Sequence, residues 1–168
     1  NGITLERNDN GQYAYSAQYT IRVRNTGTVD GEHATIWDSP LRGVGFSIDN
    51  VTIDGAEVAP QSGRYKVADA SDLAVGESKE YVVVVNGTVT DEAANALPAA
   101  VGQCDASLDN PGANSGLVNV VSMGDDSDGP ANNVVCEPVE LRRLNIEKRI
   151  NGLENAPVAP GEDMEIWY

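Results

Sequence analysis

The chain has 168 residues, of which 26 are acidic and 11 basic, so its formal net charge is −15. Such a surface repels phosphate backbones and anionic lipid headgroups, which argues against nucleic acid as a partner. No apolar run reaches the roughly 18 residues that a membrane-spanning helix requires, and no basic and apolar leader opens the chain, so any secretion signal is expected to lie outside it.

The chain is predicted to be all-β, because seventeen glycines separate short segments rich in Val, Ile and Tyr. The opening residues Ile3 to Arg7 alternate and predict a short strand, which a turn at Asn8 to Gly11 ends. In the next segment, Tyr13 to Arg24, apolar or aromatic side chains occupy the odd positions and polar ones nearly all of the even positions. This period of two predicts a long strand with one face on a core and the other in water.

The middle of the chain predicts several further short strands. His33 to Asp38 is one, closed by Pro40, which cannot donate to a ladder. Val44 to Ile53 is followed by the turn Asp54-Gly55, which predicts a hairpin whose return arm runs through Glu57 and Val58. Gly63 to Val67 adds another short strand, and Ala70 to Gly76 predicts a compact loop or a single helical turn.

The second long strand is predicted at Lys79 to Val89. Its five consecutive apolar residues, Tyr81 to Val85, predict that both faces of this strand are covered. Ala93 to Ala100 predicts a helical turn that Pro98 interrupts. Leu117 to Ser122 and Asn133 to Val139 then predict a late strand pair.

Cys104 and Cys136 are the only cysteines, and neither belongs to a CxxC or Cys/His cluster with the spacing of a zinc site. An even count in a chain of this composition predicts one disulfide and an oxidising compartment. On the chain-entropy model its loop closure would stabilise the fold by roughly 3 to 4 kcal/mol. The alternative is two unpaired buried thiols.

The loop between the late strands is the candidate metal site. Asp125, Asp126, Asp128 and Asn132 could supply oxygen ligands for Ca²⁺. The spacing does not fit an EF-hand, because counting back from Gly129 places a glycine at the first ligand position. The alternative to a calcium site is a solvated turn. His33, the only histidine, has no G-x-S-x-G motif with it, so we expect a solvent-facing strand residue and no catalytic residue.

The tail repeats the head. Leu144, Ile146, Glu147 and Lys148 follow the order of Ile3, Leu5, Glu6 and Arg7. Near the end, Met164, Ile166 and Tyr168 follow the order of Tyr19, Ile21 and Val23. We therefore expect two units, a β-sandwich module over residues 1–141 and the start of a following repeat, or strands that complete a neighbour's sheet, over residues 142–168.

Several segments resemble the conserved repeat domain, of unknown function, that is found in large secreted bacterial and archaeal surface proteins. They are QYTIRVRNTGTVDG, IWDSPLRGVGF, LAVGESKEYVVVV, the strand around Asn132 to Cys136, and LNIEKRINGLENAPVAPGEDMEIWY. The resemblance implies an immunoglobulin-like β-sandwich of about seven to nine strands without enzymatic activity. Some such domains form a lysine-asparagine isopeptide bond. Arg7 occupies the position of that lysine, and a guanidinium cannot react in this way.

The function expected from the sequence is that of a non-catalytic structural or spacer repeat of an extracellular, cell-surface, stalk or adhesin-like protein. Its expected partners are adjacent repeats or copies of the same chain, with host or surface glycans or proteins as further candidates, and no cofactor is expected other than the Ca²⁺ considered above. One alternative is a filament subunit that assembles by strand addition through residues 144–168. A second alternative is a module that binds Ca²⁺ or a glycan.

Overall fold

A computed structural model describes residues 3–96 and 116–141 of the chain. Eleven strands, one short helix and one 3₁₀ turn account for most of them. The strands are β1 (Ile3–Arg7), β2 (Tyr13–Arg24), β3 (Gly31–His33), β4 (Ile36–Leu41), β5 (Asn50–Ile53), β6 (Ala56–Glu57), β7 (Tyr65–Ala68), β8 (Ser71–Leu73), β9 (Ser78–Val89), β10 (Gly116–Met123) and β11 (Val134–Leu141). The helix is α1 (Asp91–Ala96), and the 3₁₀ turn is Pro130–Asn132.

The main sheet has the strand order β6-β5-β9-β2-β1-β11-β10-β4-β7, and β3 pairs separately with β8. Strand β1 joins its two halves, because Ile3 to Leu5 pair in parallel with β11 and Glu6 and Arg7 pair antiparallel with β2. The buried side chains of the two halves form one hydrophobic cluster, as in a sandwich of two sheets. The all-β class is confirmed. The described residues form eleven strands where seven to nine were expected, because β3, β6 and β8 have only two or three residues each.

The long strand β2 follows the predicted alternation. Every second residue from Tyr15 to Val23 is buried, and the residues between them are exposed. Strand β9 pairs with β2 along its entire length, from Tyr13 opposite Val89 to Arg24 opposite Ser78. The core of the sandwich therefore lies on the odd-numbered face of β2.

The apolar run in β9 is covered on one face only, which corrects the sequence-based expectation. Val83 and Val85 are fully buried, whereas Val82 between them is 37% exposed. The reason is that β9 lies between β2 and β5 in an antiparallel ladder, so its odd residues enter the core and its even residues face outward. A continuous apolar run does not reveal which of its two faces is open.

Three of the predicted elements differ in the structure. The segment that begins at His33 is divided into β3 and β4, and Pro40 lies inside β4 opposite Asn119, on a stretch that β7 does not pair with. The expected loop or helical turn at Ala70 to Gly76 contains strand β8, whose pairing with β3 the sequence did not predict. Residues 44–49 lie outside any strand, although Phe46 forms an isolated bridge with Val89.

The hairpin at Asp54-Gly55 is confirmed. Thr52 pairs with Glu57 and Ile53 with Ala56, so two residues connect β5 to β6. Both turn residues have positive φ, at 50° for Asp54 and 83° for Gly55, which is the conformation of a type I′ turn.

Other predictions concern residues outside the described part of the chain. They are the disulfide partner Cys104, the interruption of the helix at Pro98, and the repeat or donor strands at 142–168. Within the described part, no helix is long and apolar enough to cross a membrane.

Candidate functional site

A groove of about 550 Å³ opens at the end of the sandwich where β2 ends and β11 begins. Its apolar lining comes from residues that continue the core, including Ile21 and Val23 of β2 and Val121 and Met123 of β10. Its polar lining includes four acidic side chains. They are Glu32, Asp125, Asp126 and Asp128. Two cations, Arg22 and Arg24, line it as well. The groove therefore combines an apolar floor with a rim of four acidic and two basic side chains.

The predicted calcium ligands all lie in or beside this groove, but most of their oxygens already have partners. Both carboxylate oxygens of Asp125 accept from the Ala34 amide at 3.1 Å. Asp126 accepts from the Asn133 side chain at 2.7 Å, and Asp128 accepts from the Asn132 side chain at 3.2 Å. The hydrogen bond from Asn133 is the main reason that the pKa of Asp126 is lowered.

The carboxylates of this loop are therefore used in hydrogen bonds within the protein. Over residues 3–96 and 116–141, no group of three or more His, Cys, Asp or Glu side chains is placed to hold a metal ion. Calcium binding at this loop stays a prediction. Titration calorimetry with CaCl₂ tests it directly, and the absence of binding heat would contradict it.

His33 is buried, contrary to the expectation of a solvent-facing residue. It is 4% exposed, and its ring contacts the Ala34 carbonyl through Nδ1 and the Ser71 hydroxyl through Nε2, each at 2.8 Å. A carbonyl can only accept, so a neutral ring donates from Nδ1 and accepts from Ser71 through Nε2. Lys79 in turn donates to Ser71 at 2.9 Å. This chain of bonds ties the β3–β8 pair to β9.

A polar cluster that sequence reasoning missed lies between the two sheets. Asp38 and Asn119 are 0% and 3% exposed, and the Asn119 amide donates to Asp38 Oδ1 at 2.6 Å. Arg42 donates to the Tyr15 hydroxyl at 2.9 Å and to the Val118 carbonyl at 2.9 Å. Burial raises the pKa of Asp38 to about 6, against the opposing effects of the Asn119 hydrogen bond and the Arg42 charge.

Four buried polar atoms of this cluster have no hydrogen-bond partner among the residues that the structure describes. They are Tyr19 OH, Asp38 Oδ2, Arg42 Nη2 and Asn119 Oδ1. A protonated Asp38 carries an O–H group at its second oxygen, and this group can donate a hydrogen bond. Asn119, which already donates to the first oxygen of Asp38, has an amide oxygen that can accept it. The neutral carboxyl therefore suits this environment better than the carboxylate.

The only sequence signal for this cluster is that Asp38 stands at an inward position between the apolar residues Ile36 and Pro40. Asn119 has the corresponding inward position in β10, opposite Pro40. Asp38 and Asn119 are closed to solvent, so this pair affects stability, whereas the groove is open to solvent. Comparisons of the chain with protein-family models, with curated proteins and with solved structures find no match.

Proposed function

We propose that the chain is a non-catalytic structural repeat that transmits load and sets spacing in an extracellular surface protein. The observation that carries this proposal is the parallel pairing of the first and last described strands, β1 and β11, through Ile3 to Leu5 and Val139 to Leu141. The strands run in the same direction side by side. Tension applied at Ile3 and Leu141 therefore pulls them in opposite directions along their common axis.

This geometry loads the β1–β11 hydrogen bonds in shear, so that they bear the force together and not one after another. Strand β1 also pairs with β2, in the other half of the sandwich, through Glu6 and Arg7. Its Leu5 packs into the core and is 3% exposed. The load therefore passes through a strand that both halves of the sandwich hold. A spacer under tension needs this kind of resistance.

Two further features support the proposal. The net charge of −15 keeps neighbouring modules from associating along their sides. The register of β2 and β9 is continuous over twelve residue pairs, which gives the module a stiff central ladder. The resemblance to repeats of secreted surface proteins is the basis for the extracellular location.

Single-molecule force spectroscopy on a tandem array of the module tests the proposal with two matched variants. Leu5 in β1 and Leu73 in β8 are both 3% exposed and both belong to the core. Each Leu→Ala change should lower the free energy of unfolding by about 2 to 5 kcal/mol. Only Leu5→Ala should lower the unfolding force markedly, because only Leu5 lies in the loaded strand.

An equal loss of unfolding force in Leu5→Ala and Leu73→Ala would show that β1 has no special share of the load. A module that extends without a resolved unfolding force would overturn the mechanical function altogether. Chemical denaturation of both variants is the control, since it verifies that the two changes cost similar equilibrium stability.

A further inference from the structure

Strand β2 has one edge that the described strands leave largely unpaired. On one side β9 pairs with it from Tyr13 to Arg24. On the other side β1 meets it only at Tyr13 and Ala14. Within residues 3–96 and 116–141 no other strand pairs with this second edge between Tyr15 and Arg24, and we call this stretch the open edge.

The hydrogen bonds of β9 identify the backbone groups on this open edge. Even-numbered residues of β9 bond towards β5, since the Val82 carbonyl accepts from Asp54 and the Asn86 carbonyl from Asp49, both at 2.8 Å. The odd-numbered residues of β9 and their odd-numbered partners on β2 therefore bond to each other. The even-numbered residues of β2 direct their N–H and C=O groups to the open edge. They are Ser16, Gln18, Thr20, Arg22 and Arg24.

The end of this edge that is nearest to Arg24 borders the groove described above. Residues 21–24 line it, together with the apolar side chains of Val121 and Met123 on β10. A strand added here would bond to the free backbone groups and place alternate side chains against the apolar floor. The rim carries four acidic side chains against the two arginines Arg22 and Arg24, and this excess of negative charge favours an added strand that carries positive charge.

The chain itself contains a segment with these properties. In Leu144 to Ile150 (LNIEKRI) apolar residues stand at positions 144, 146 and 150, and the cations Lys148 and Arg149 lie between them. The order of Leu144, Ile146, Glu147 and Lys148 repeats that of β1, which already pairs antiparallel with the first residues of β2. The sequence pattern that β2 accepts at one end thus recurs in the tail.

The open edge fits the tail of another copy better than the tail of the same chain. Strand β11 runs away from the groove and ends at Leu141, beside Leu5. That point is about 23 Å along the strand from Val134. To reach the groove, a chain's own tail would have to reverse direction and pass β1, which occupies the seam between the sheets. A second copy can approach the edge without this obstacle.

We propose that residues 144–150 of one copy add as an antiparallel strand to residues 16–24 of β2 in a second copy, linking copies head to tail. This proposal goes beyond the load-bearing function, because a module can resist force whether or not it self-associates. Force spectroscopy tests the load-bearing function, and the mass of the protein in solution tests the self-association.

The test is light scattering on the full chain over a range of concentrations, with one variant for each half of the contact. Thr20→Pro removes an N–H on the open edge and leaves the β2–β9 hydrogen bonds in place, while Thr20→Val keeps that N–H as the control. Ile146→Asp places a charge on the apolar face of the tail. The full chain and Thr20→Val should exceed the monomer mass of 17.8 kDa as concentration rises, and Thr20→Pro and Ile146→Asp should not.

Mixing the two blocked proteins gives the decisive result. Thr20→Pro keeps a competent tail and Ile146→Asp keeps a competent edge, so an equimolar mixture should form dimers and stop there. Circular dichroism verifies that Thr20→Pro is folded. If it is not, the comparison of the full chain with Ile146→Asp, which leaves residues 3–141 unchanged, decides alone.

Three results would overturn the proposal. A full chain that stays monomeric at every concentration has no such contact. A monomeric full chain that melts at a higher temperature than Ile146→Asp uses its tail within the same molecule. Polymers that persist in folded Thr20→Pro assemble through another surface.

Discussion

The side-chain amide of Asn119 lies 2.6 Å from Oδ1 of Asp38 in the interior of the sandwich. The two residues are diagonal neighbours on the inward face, because Asn119 is opposite Pro40 and Asp38 is opposite Val121. Neither is more than 3% exposed. An ionisable side chain thus stands at a core position where the strand alternation calls for an apolar one, and this makes the stability of the fold dependent on pH.

The pH dependence follows from the pKa of Asp38, which burial raises from 3.8 to about 6. Because the folded state holds the proton more tightly than the unfolded state, this group stabilises the fold fully below pH 3.8. That stabilisation is lost as the pH rises through 6. The difference between the two pKa values corresponds to about 3 kcal/mol. We expect urea denaturation between pH 4 and pH 7 to show this loss in the wild-type protein.

The matched variant is Asp38→Asn, which keeps the shape of the side chain and removes the titration. Other carboxylates titrate equally in both proteins, so the difference between their unfolding free energies isolates Asp38. This difference should shift by about 2 kcal/mol in favour of Asp38→Asn from pH 4 to pH 7, because part of the total of about 3 kcal/mol is already lost at pH 4. If the unfolding free energies of the two proteins changed with pH in parallel, ionisation of Asp38 would not destabilise the fold.

Gly87 lies where no larger residue fits. A Cβ at this position would collide with the Ser47 carbonyl and with the ring and hydroxyl of Tyr15, which bond to each other at 2.5 Å. We expect Gly87→Ala to lower the free energy of unfolding by about 1 to 3 kcal/mol. Gly31→Ala, another strand glycine but with no atom within 4 Å of the added carbon, should change it by less than about 0.5 kcal/mol. Equal effects of the two changes, measured by denaturant titration, would contradict this account.

The long strands and the tight turn were predictable because each is determined by neighbouring residues. The alternation of β2 defines its buried face without reference to any other strand, and Asp54-Gly55 specifies a two-residue hairpin by its own backbone preference. The same local information located strand β9 but was insufficient to predict which of its faces is buried. Its apolar run is compatible with burial on both faces, and only its place between β2 and β5 leaves Val82 exposed.

The buried contacts could not be predicted, because they depend on the register between distant strands. Asp38 and Asn119 meet because β4 and β10 are adjacent and aligned at Pro40, which no local pattern encodes. His33 is buried because β3 pairs with β8, a ladder of three residue pairs inside segments that lack clear alternation. The groove is lined by residues of five strands, β2, β3, β4, β8 and β10, and of the loops that follow β2 and β10, although the sequence did identify its acidic loop.

The environment of His33 predicts that its substitution destabilises the β3–β8 pair. His33→Ala removes a buried ring and leaves the Ala34 carbonyl and the Ser71 hydroxyl without this partner. We expect a loss of about 2 kcal/mol in the free energy of unfolding. Glu32→Ala, an exposed change in the same strand, should cost less than about 0.5 kcal/mol. Thermal or chemical denaturation measures both, and a His33→Ala protein as stable as Glu32→Ala would show that the network contributes nothing.

The predicted disulfide between Cys104 and Cys136 can be tested on the intact protein. Cys136 lies in β11 opposite Val118, so a bond to Cys104 would fasten the chain that precedes β10 to this sheet. Reduction should then lower the free energy of unfolding by roughly 3 to 4 kcal/mol, because it releases a closed loop in the unfolded state. A double variant, Cys104→Ser with Cys136→Ser, should be equally stable with and without reductant. Two thiols that react in the denatured protein before any reductant is added would show that the bond does not form.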